Sequence, residues 1–558
     1  MKLKTKILLV TIVSSISATT GLTIGFLTNK NTTKTSAVIS KYSYDSDTPF
    51  FNAYFDTISI DNTASLDRWY DDETVFPFNT NTSNFCSLGT TSFENINNKT
   101  VTVDAFNRNQ TDNLNDPNFG QSMLIYQCIQ YKVAHPETEM YIDFASYRLS
   151  ITASACLRRD SKFFGYMRSL FNEEYNDFGF VRMAFTLVEA ARMGIHVTMT
   201  PQLNSYAVQQ YSSTDSSGHA SIGEPSYVTY FNSALSKKCY SSYAPNKKVS
   251  DFLVFKQIKW NVEEIGQDMQ HVKTCTVSHY LDFHGNEHEN AVFFESSNVD
   301  AITYLGRNGN GGSQTGVIVT NHEDLFRCTH NFVKLMANYS EKNDVTEFRR
   351  IARSKSQKQI DLINSGLQNT IPSNEQIVYL GSSNDNVFEL YFSPFGGNVA
   401  TWDKTYNPFC KYISEFKKSD GPIVFTWTLP YVDYGHAFDY TMEDMIAEAF
   451  HDNKNPKNRI YLHVPGFNEK KYNDLKVGTD IGFKYVNQNL AKYLHSKDVI
   501  MSYYVGEYHK YVSLISSCNF GYGPYWYRTN STLVIKENEN NHGVYHDLGV
   551  ATTYGCIE

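Results

Sequence analysis

The sequence lacks several patterns that would assign it quickly to a class of protein. Its nine cysteines include no C-x-x-C pair, so the spacing typical of structural zinc sites is absent. No long basic run occurs outside the N-terminus, and the net charge is −9. This charge balance argues against a high-affinity binder of duplex DNA, which normally presents a basic face.

The chain does contain enough apolar sequence for a large folded protein. Hydrophobic residues make up 41% of the 558 residues and aromatic residues 15%. This composition is typical of a globular protein rather than a disordered one. The length suits two to four domains, or one large domain built from two parts.

The N-terminus predicts export. Three lysines lie within residues 1–6, and residues 7–27 then carry no charge. A charged start followed by an apolar stretch is typical of a signal peptide or a signal anchor, here residues 1–27. The lysines favour a cytoplasmic N-terminus. We therefore expect a secreted or membrane-anchored protein, with its catalytic part outside the cytoplasm and a polar leader at 28–95.

From residue 96 onward, the hydrophobic pattern predicts an α/β fold that is built twice. Strand, helix, strand, helix and strand follow one another before residue 201, and the same order returns between residues 386 and 464. The repetition predicts two similar halves, 96–350 and 375–558, separated by a connector at 351–374. A charged helix is predicted across residues 340–366. Its basic positions suit a solvated helix face or, alternatively, a phosphate-binding rim; they are Arg349, Arg350, Arg353 and Lys355.

Each half ends in the same short pattern. The sequence HVK at 271–273 and the sequence HSK at 495–497 are each followed by a strand, a polar turn, a second strand and Ser-x-Asn. One such tripeptide would mean nothing, but two in matching surroundings indicate a repeated site. The candidate residues are His271, Lys273, Ser296 and Asn298 in the first half, and His495, Lys497, Ser517 and Asn519 in the second.

These residue types suit the cleavage of a phosphodiester. Lysine supplies a compact cation, while asparagine and serine supply donors to the non-bridging oxygens. A neutral histidine can attack phosphorus, and a protonated one can donate a proton to the leaving oxygen. Two halves that face each other would place one histidine on each side of the phosphorus. This arrangement calls for no metal and no other cofactor.

In these motifs the chain resembles the phospholipase D superfamily, whose members carry two H-x-K-x4-D motifs, each followed by G-S-x-N. The resemblance implies two pseudo-symmetric α-β-α halves packed face to face, and a monomer with an internal pseudo-dimer. It also implies that one histidine is the nucleophile, with His271 assigned to that role, and the other the general acid. Lysine and asparagine would grip the phosphate.

The chain departs from the family pattern at several positions. Ser278 and Ser502 replace the motif aspartates, and Glu295 and Ser516 replace the motif glycines. The positions that orient the histidines carry amides, Gln314 and Asn530. The tyrosyl-DNA phosphodiesterase branch also lacks the aspartate, so its loss does not by itself imply inactivity.

Two other stretches are weaker candidates. The glycine-rich residues 307–316 lack the Gly-Lys-Ser/Thr ending of a phosphate loop, so we interpret them as a flexible loop. A hairpin tip carries three histidines and two glutamates. A metal site is conceivable there, but the spacing fits no closed zinc pattern, and a polar tip is the simpler interpretation. Its residues are His279, His284, Glu287, His288 and Glu289.

The sequence leaves three functions open. The first is an exported phosphodiesterase that hydrolyses a phospholipid head group, which the N-terminal segment favours because that segment would hold the protein at a membrane. The second is an exported or luminal nuclease that uses the same two histidines. The third is a catalytically dead binding protein that keeps the fold.

Overall fold

The computed structural model describes the chain from residue 87 to residue 554 with gaps. Residues 1–27, most of the predicted leader and His284 lie outside the described residues. Among the described residues, no helix is both long and apolar enough to cross a membrane. The described ranges are 87–108, 117–147, 187–202, 231–260 without 233, 269–299 without 283 and 284, 314–397, 403–428, 442–463, 495–521 and 525–554, with 149, 432–433 and 483–485.

The first half is built on an eight-stranded sheet in the order β1-β2-β8-β7-β6-β3-β4-β5. β3, β4 and β5 are parallel neighbours, whereas the remaining neighbours pair antiparallel. The strands are β1 Gly89–Ile96, β2 Lys99–Arg108, β3 Tyr141–Ser146, β4 His196–Pro201, β5 Leu253–Phe255, β6 Thr274–Leu281, β7 Glu287–Glu295 and β8 Gln314–Thr320.

The second half is built on a seven-stranded sheet in the order β13-β12-β10-β14-β15-β17-β9. β11 and β16 form a separate parallel pair. The strands are β9 Phe388–Phe392, β10 Val424–Thr428, β11 Val432–Asp433, β12 Arg459–His463, β13 Phe483–Tyr485, β14 Asp498–Val505, β15 Tyr508–Ser516, β16 Phe520–Gly521 and β17 Ser531–Asn538.

The two sheets share one topology. From β2 to β5 the first sheet has the same strand order and the same directions as the second sheet from β9 to β13, and β1 is an addition at its edge. β6 and β14, which follow the two His-x-Lys sequences, therefore occupy equivalent places. The fold is α/β, with two pseudo-symmetric halves, as the sequence predicted.

Helices cover the sheets and join the halves. The predicted connector helix is present as α3, whereas the sequence interpretation did not include α2 and α6. α6 packs against β1 and β2 of the first sheet and also against β10, β14 and β15 of the second. The helices are α1 Pro117–Ala134, α2 Glu323–Asn338, α3 Val345–Asn364, α4 Pro408–Phe416, α5 Met442–Asp452 and α6 Gly543–Tyr554, with 3-10 turns at Val249–Asp251, Lys342–Asp344, Gln368–Thr370 and Ser373–Glu375.

Local sequence sets several of these boundaries. The side chain of Asn407 accepts from the backbone N–H of Phe409, and Pro408 follows it, so α4 begins with a side-chain cap and a proline in its first turn. Gly194 has φ +79°, in the left-handed region that favours glycine. It therefore separates the helical residues 187–192 from β4.

Two boundaries differ from the sequence interpretation. β1 begins at Gly89, inside the range that the sequence interpretation assigned to an irregular leader. Thr91 and Phe93 alternate as buried residues in this strand, but Thr91 is polar, so the sequence shows no clear hydrophobic alternation there. β8 starts at Gln314, inside the range 307–316 that was interpreted as a flexible loop, and the rest of that range lies outside the described residues. A strand that is buried on both faces shows no alternation, so periodicity alone did not reveal it.

One hydrophobic cluster spans both halves. It contains Val103 of β2, Phe332 of α2 and Trp427 of β10. The ring of Phe332 stacks on that of Phe392 in β9, with ring centroids 4.0 Å apart. A second cluster lies within the first half, under α1. The shared cluster explains why the halves pack as one body.

We expect Phe332→Ala to lower the free energy of unfolding by about 3–5 kcal/mol, since it leaves a cavity under Phe392 in the shared cluster. Urea unfolding followed by circular dichroism measures this. Leu367→Ala is the control, because Leu367 is 49% exposed and its loss should cost no more than about 0.5 kcal/mol. Separate transitions for the two halves in the wild type would contradict the shared core.

Candidate active site

Both His-x-Lys sequences lie directly before equivalent strands, and the backbone brings them together. The residues before β6 pair with those before β17 of the other half. His271 N–H donates to the carbonyl of Thr529 at 2.7 Å, and Thr529 N–H donates to the carbonyl of Met269 at 2.9 Å. The pairing joins the first motif to the segment that carries Asn530.

The two histidines are each held by an amide from the opposite half. Nδ1 of His271 lies 3.0 Å from Oδ1 of Asn530, and Nδ1 of His495 lies 3.1 Å from Oε1 of Gln314. An amide oxygen can only accept, so Nδ1 of each ring carries a proton. In the neutral rings Nε2 is then the basic nitrogen, the atom that can act as a nucleophile or accept a proton.

Neighbouring hydroxyls fix the orientation of both amides. Nδ2 of Asn530 donates to Oγ of Ser393 at 3.0 Å, and that hydroxyl donates to the carbonyl of Arg528 at 2.7 Å. The hydroxyl of Ser296 donates to Oε1 of Gln314 at 3.2 Å. The oxygen of each amide is thereby turned toward its histidine.

Ser296 and Ser517, predicted to bind substrate, play matching parts in the two halves. Oγ of Ser296 accepts from Thr315 N–H at 2.9 Å, and Oγ of Ser517 accepts from Ser531 N–H at 3.0 Å. Each serine thus ties its strand to the residue that follows the orienting amide. Their contact with substrate stays a prediction.

The two lysines are buried beside the histidines. Nζ of Lys273 donates to the carbonyl of His271 at 3.0 Å, and Nζ of Lys497 donates to the carbonyl of His495. Burial lowers the pKa of Lys497 well below its usual value. A bound phosphate anion would favour the charged ammonium, so the site is suited to an anionic ligand.

Burial also lowers the pKa of His271 well below 6.5, and the charges of Lys273, Lys497 and Arg528 lower it further, in that order. The hydrogen bond to Asn530 acts in the opposite direction but is the weaker effect. This lowered pKa favours the neutral form of His271. Neutrality is the state required of a nucleophile.

Asn298 and Asn519 complete the set of predicted catalytic residues. Asn298 follows the end of β7 and Asn519 follows the end of β15, beside the starts of β6 and β14. Both side chains are buried. All the predicted catalytic and orienting residues consequently lie at the junction of the two halves.

The structure adds four residues that the sequence interpretation did not assign to the site. The ring of Tyr147 lies 4.9 Å from that of His271, and Nζ of Lys273 lies 5.3 Å from the centre of the Tyr147 ring. Arg528 acts electrostatically on His271. Glu295 and Asp498 are buried carboxylates next to the motifs, and Asp498 accepts from Thr315 of the first half at 3.0 Å. The sequence carries a signal for two of the four, since Asp498 directly follows Lys497 and Glu295 directly precedes Ser296.

The serines that replace the family aspartates lie away from the histidines. Seven residues of extended chain, the separation from His271 to Ser278, span about 23 Å. Oγ of Ser278 accepts from Tyr141 N–H at 2.9 Å, and Oγ of Ser502 lies 2.6 Å from Nε2 of His509. These replacements alter the packing of the hairpins and leave the reacting groups in place.

The histidines of the first hairpin lie in polar contacts with the protein. Nε2 of His288 lies 3.0 Å from Oδ2 of Asp282, and Nδ1 of His279 lies 3.0 Å from Oγ of Ser278. Within the part of the chain that is described, no group of three or more His, Cys, Asp or Glu side chains is placed to hold a metal ion.

Comparison with known proteins gives distant structural matches. No family model matches the sequence, and no curated protein does. Phosphatidylserine synthase from Haemophilus influenzae Rd KW20 matches 80% of this chain and 86% of its own at 10% identity, with a TM-score of 0.41. Yeast tyrosyl-DNA phosphodiesterase matches 72% and 83% at 10% identity, with a TM-score of 0.34.

Polyphosphate kinase from Porphyromonas gingivalis matches 79% of this chain at 11% identity, with a TM-score of 0.34, and the match spans about half, 48%, of the kinase. The resemblance to the phospholipase D superfamily rests on the paired His-x-Lys and Ser-x-Asn motifs. The geometry of the two histidines, rather than these distant matches, supports a function in phosphoryl chemistry.

The crossed pairing of histidines and amides can be tested with isosteric acids. A carboxylate stabilises imidazolium better than an amide does, so Asn530→Asp should raise the pKa of His271 and leave the titration of His495 in place. Gln314→Glu should do the reverse. NMR titration of the two imidazoles measures both. Shifts confined to the histidine of the same half as the substitution would contradict the crossed arrangement.

Proposed function

We propose that this protein is an exported phosphodiesterase that needs no metal and reacts through a phosphohistidine intermediate. The observation that carries the proposal is the pair of imidazoles, each with Nδ1 hydrogen-bonded to an amide from the opposite half, which leaves Nε2 as the basic nitrogen of each neutral ring. Export remains a prediction from residues 1–27.

The reaction would run in two steps, in which His495 first donates a proton and then accepts one. Nε2 of His271 attacks phosphorus, the bond from phosphorus to the leaving oxygen breaks, and Nε2 of protonated His495 donates its proton to that oxygen. A water then attacks phosphorus while neutral His495 accepts its proton. The phosphorus–nitrogen bond breaks and His271 is regenerated. Lys273, Lys497 and the two asparagines would hold the negative oxygens throughout.

The retained site supports catalysis over a purely binding role. Both imidazoles, both lysines and both asparagines are present and buried at the junction of the halves. The amides at Gln314 and Asn530 stabilise imidazolium less than a carboxylate would. We therefore expect a site that favours the neutral nucleophile.

Removal of either histidine should abolish turnover. His271→Ala, His495→Ala and the double variant should each lose at least about 10³-fold in kcat, because the two groups act as a unit. Hydrolysis of bis(p-nitrophenyl) phosphate, a small activated diester, measures this, with the exposed His546→Ala as control. Lys273→Arg should also fail, since a planar fork does not replace a compact ammonium. Wild-type turnover by His271→Ala would overturn the proposal.

The nucleophile can be identified by acid quench. A phosphoryl adduct trapped on His271 supports the assignment, and one on His495 reverses it. Activity that disappears with EDTA and returns with zinc or magnesium would contradict metal independence and draw attention to His279 and His288.

The activity should persist into mildly acidic solution. The nucleophile is the neutral imidazole, which prevails above its pKa, and the pKa of His271 lies well below 6.5. We expect the acidic limb of the kcat/KM profile below pH 6.5, and an upward move of that limb in Asn530→Asp. An acidic limb that stays in place in this variant would show that another group controls it.

The remaining candidate functions differ in their substrate. The apolar N-terminal segment favours a phospholipid head group, whereas the basic residues of α3 favour a nucleic-acid strand. A panel of phosphatidylcholine vesicles and labelled oligonucleotides, with wild type beside His495→Asn, separates the two. Release of a soluble head group supports the first, shortening of the oligonucleotide supports the second, and neither result with an intact fold supports a binding protein.

A further inference from the structure

An open cavity of about 810 Å³ lies along the polar face of α3, against Tyr527. The opposite face of the helix is buried in the core and includes Phe348 and Ile360. Asp361 is the one carboxylate among the described residues that line the cavity, and it accepts from the hydroxyl of Tyr406 at 2.7 Å. The cationic lining residues are Arg349, Arg350, Arg353 and Lys358.

This concentration of positive charge stands against a chain whose net charge is −9. The predicted basic run divides in the structure. Arg349, Arg350 and Arg353 line the cavity, while Nζ of Lys355 lies 3.0 Å from Glu375 and is not part of the lining. The run is therefore more than a uniformly solvated face, since one side of it is gathered around a concave space.

Two of the arginines are held in place by the segment that leads to the active site. The guanidinium of Arg349 lies 5.3 Å from the centre of the Tyr527 ring, within range of a cation–π interaction. Nη2 of Arg353 donates to the carbonyl of Trp526 at 2.7 Å. Groups that are already ordered lose less entropy when a ligand binds.

The same segment connects the cavity to His271. Tyr527 lines the cavity, the next residue, Arg528, acts on His271, and Asn530 binds the His271 ring. Consecutive Cα atoms lie about 3.8 Å apart. The cavity and the reacting centre are therefore served by neighbouring residues of one short segment, a separation that a ligand a few phosphates long could bridge.

The chemistry of the lining distinguishes between the possible substrates. A diacyl phospholipid offers one diester phosphate and two hydrocarbon chains, whereas the apolar groups among the described lining residues are Leu362 and Tyr527. A nucleic-acid strand offers repeated phosphates for the cations and bases that can stack on Tyr527 and Arg349. We propose that the cavity binds a phosphate of a single-stranded nucleic acid whose scissile phosphodiester lies between the two histidines. The proposal rests on the proposed function and names its substrate class.

The test compares one long and one short substrate in the full chain. Arg349→Gln with Lys358→Gln removes two cavity charges on exposed or half-buried side chains. Lys355→Gln is the matched control, because it removes a charge of the same sign from the same helix outside the cavity. The measurements are kcat/KM for a 12-nucleotide single strand and for bis(p-nitrophenyl) phosphate, and oligonucleotide binding to His271→Ala by fluorescence anisotropy across a salt series.

We expect the double variant to lower kcat/KM for the oligonucleotide about tenfold relative to kcat/KM for bis(p-nitrophenyl) phosphate. The salt slope of oligonucleotide binding should fall by roughly 0.7 for each phosphate that the protein no longer neutralises. The control should leave both at the wild-type value. An unchanged ratio and slope in the double variant would overturn the proposal, and so would equal reductions in variant and control. If the double variant lost activity only on phosphatidylcholine vesicles, that result would also overturn the proposal and would assign the cavity to a lipid.

Failure of the proposed function has a different signature. If the wild type cleaves bis(p-nitrophenyl) phosphate but neither binds nor cleaves the oligonucleotide, the phosphodiesterase stands and the cavity proposal fails. If the wild type cleaves neither diester yet binds the strand through Arg349 and Lys358, the cavity proposal stands as a binding site and the enzyme proposal fails.

Discussion

The site depends on two hydrogen bonds that cross between the halves, from His271 to Asn530 and from His495 to Gln314. Each half supplies the ring of one pair and the amide of the other. Neither half can therefore orient its own histidine alone. The shared hydrophobic cluster and the bridging helix α6 keep the halves in contact, so the core is what maintains the geometry of the site.

Burial then sets the chemical state of the groups that these bonds position. The site removes His271 from water and surrounds it with cations, and both effects lower its pKa. The same burial lowers the pKa of Lys497. Without a bound anion, such a buried site disfavours the positively charged forms of its lysine and histidine side chains. A phosphate anion would supply the missing countercharge, which links substrate binding to the protonation of the lysine.

The choice of amides over carboxylates fits this electrostatic design. A buried carboxylate beside His271 would stabilise imidazolium and raise its pKa. Asn530 orients the ring without adding charge, and Ser393 fixes the direction of the amide. The buried carboxyl groups near the site belong to other residues, Glu295 and Asp498. The residues that depart from the family motifs thus change how the histidines are oriented and which charges lie beside them, while the proposed reacting groups are kept.

The sequence by itself determined the α/β class and the repetition of the fold, and it identified the two His-x-Lys motifs on which the proposed function rests. β3, β4, β9 and β10 were recognised as short apolar runs, and the His-x-Lys motifs were visible because they recur. β8 was missed because its start lies inside the glycine-rich range interpreted as a loop.

Only the tertiary structure decided which amide serves which histidine, and that Tyr147 and Arg528 lie at the site. These contacts join residues far apart in the chain, 259 positions in the case of His271 and Asn530. Nothing in a local pattern specifies such a pairing, since it depends on how two separately patterned sheets meet. The pKa of His271 was equally beyond the sequence, because desolvation depends on the fold that surrounds the ring.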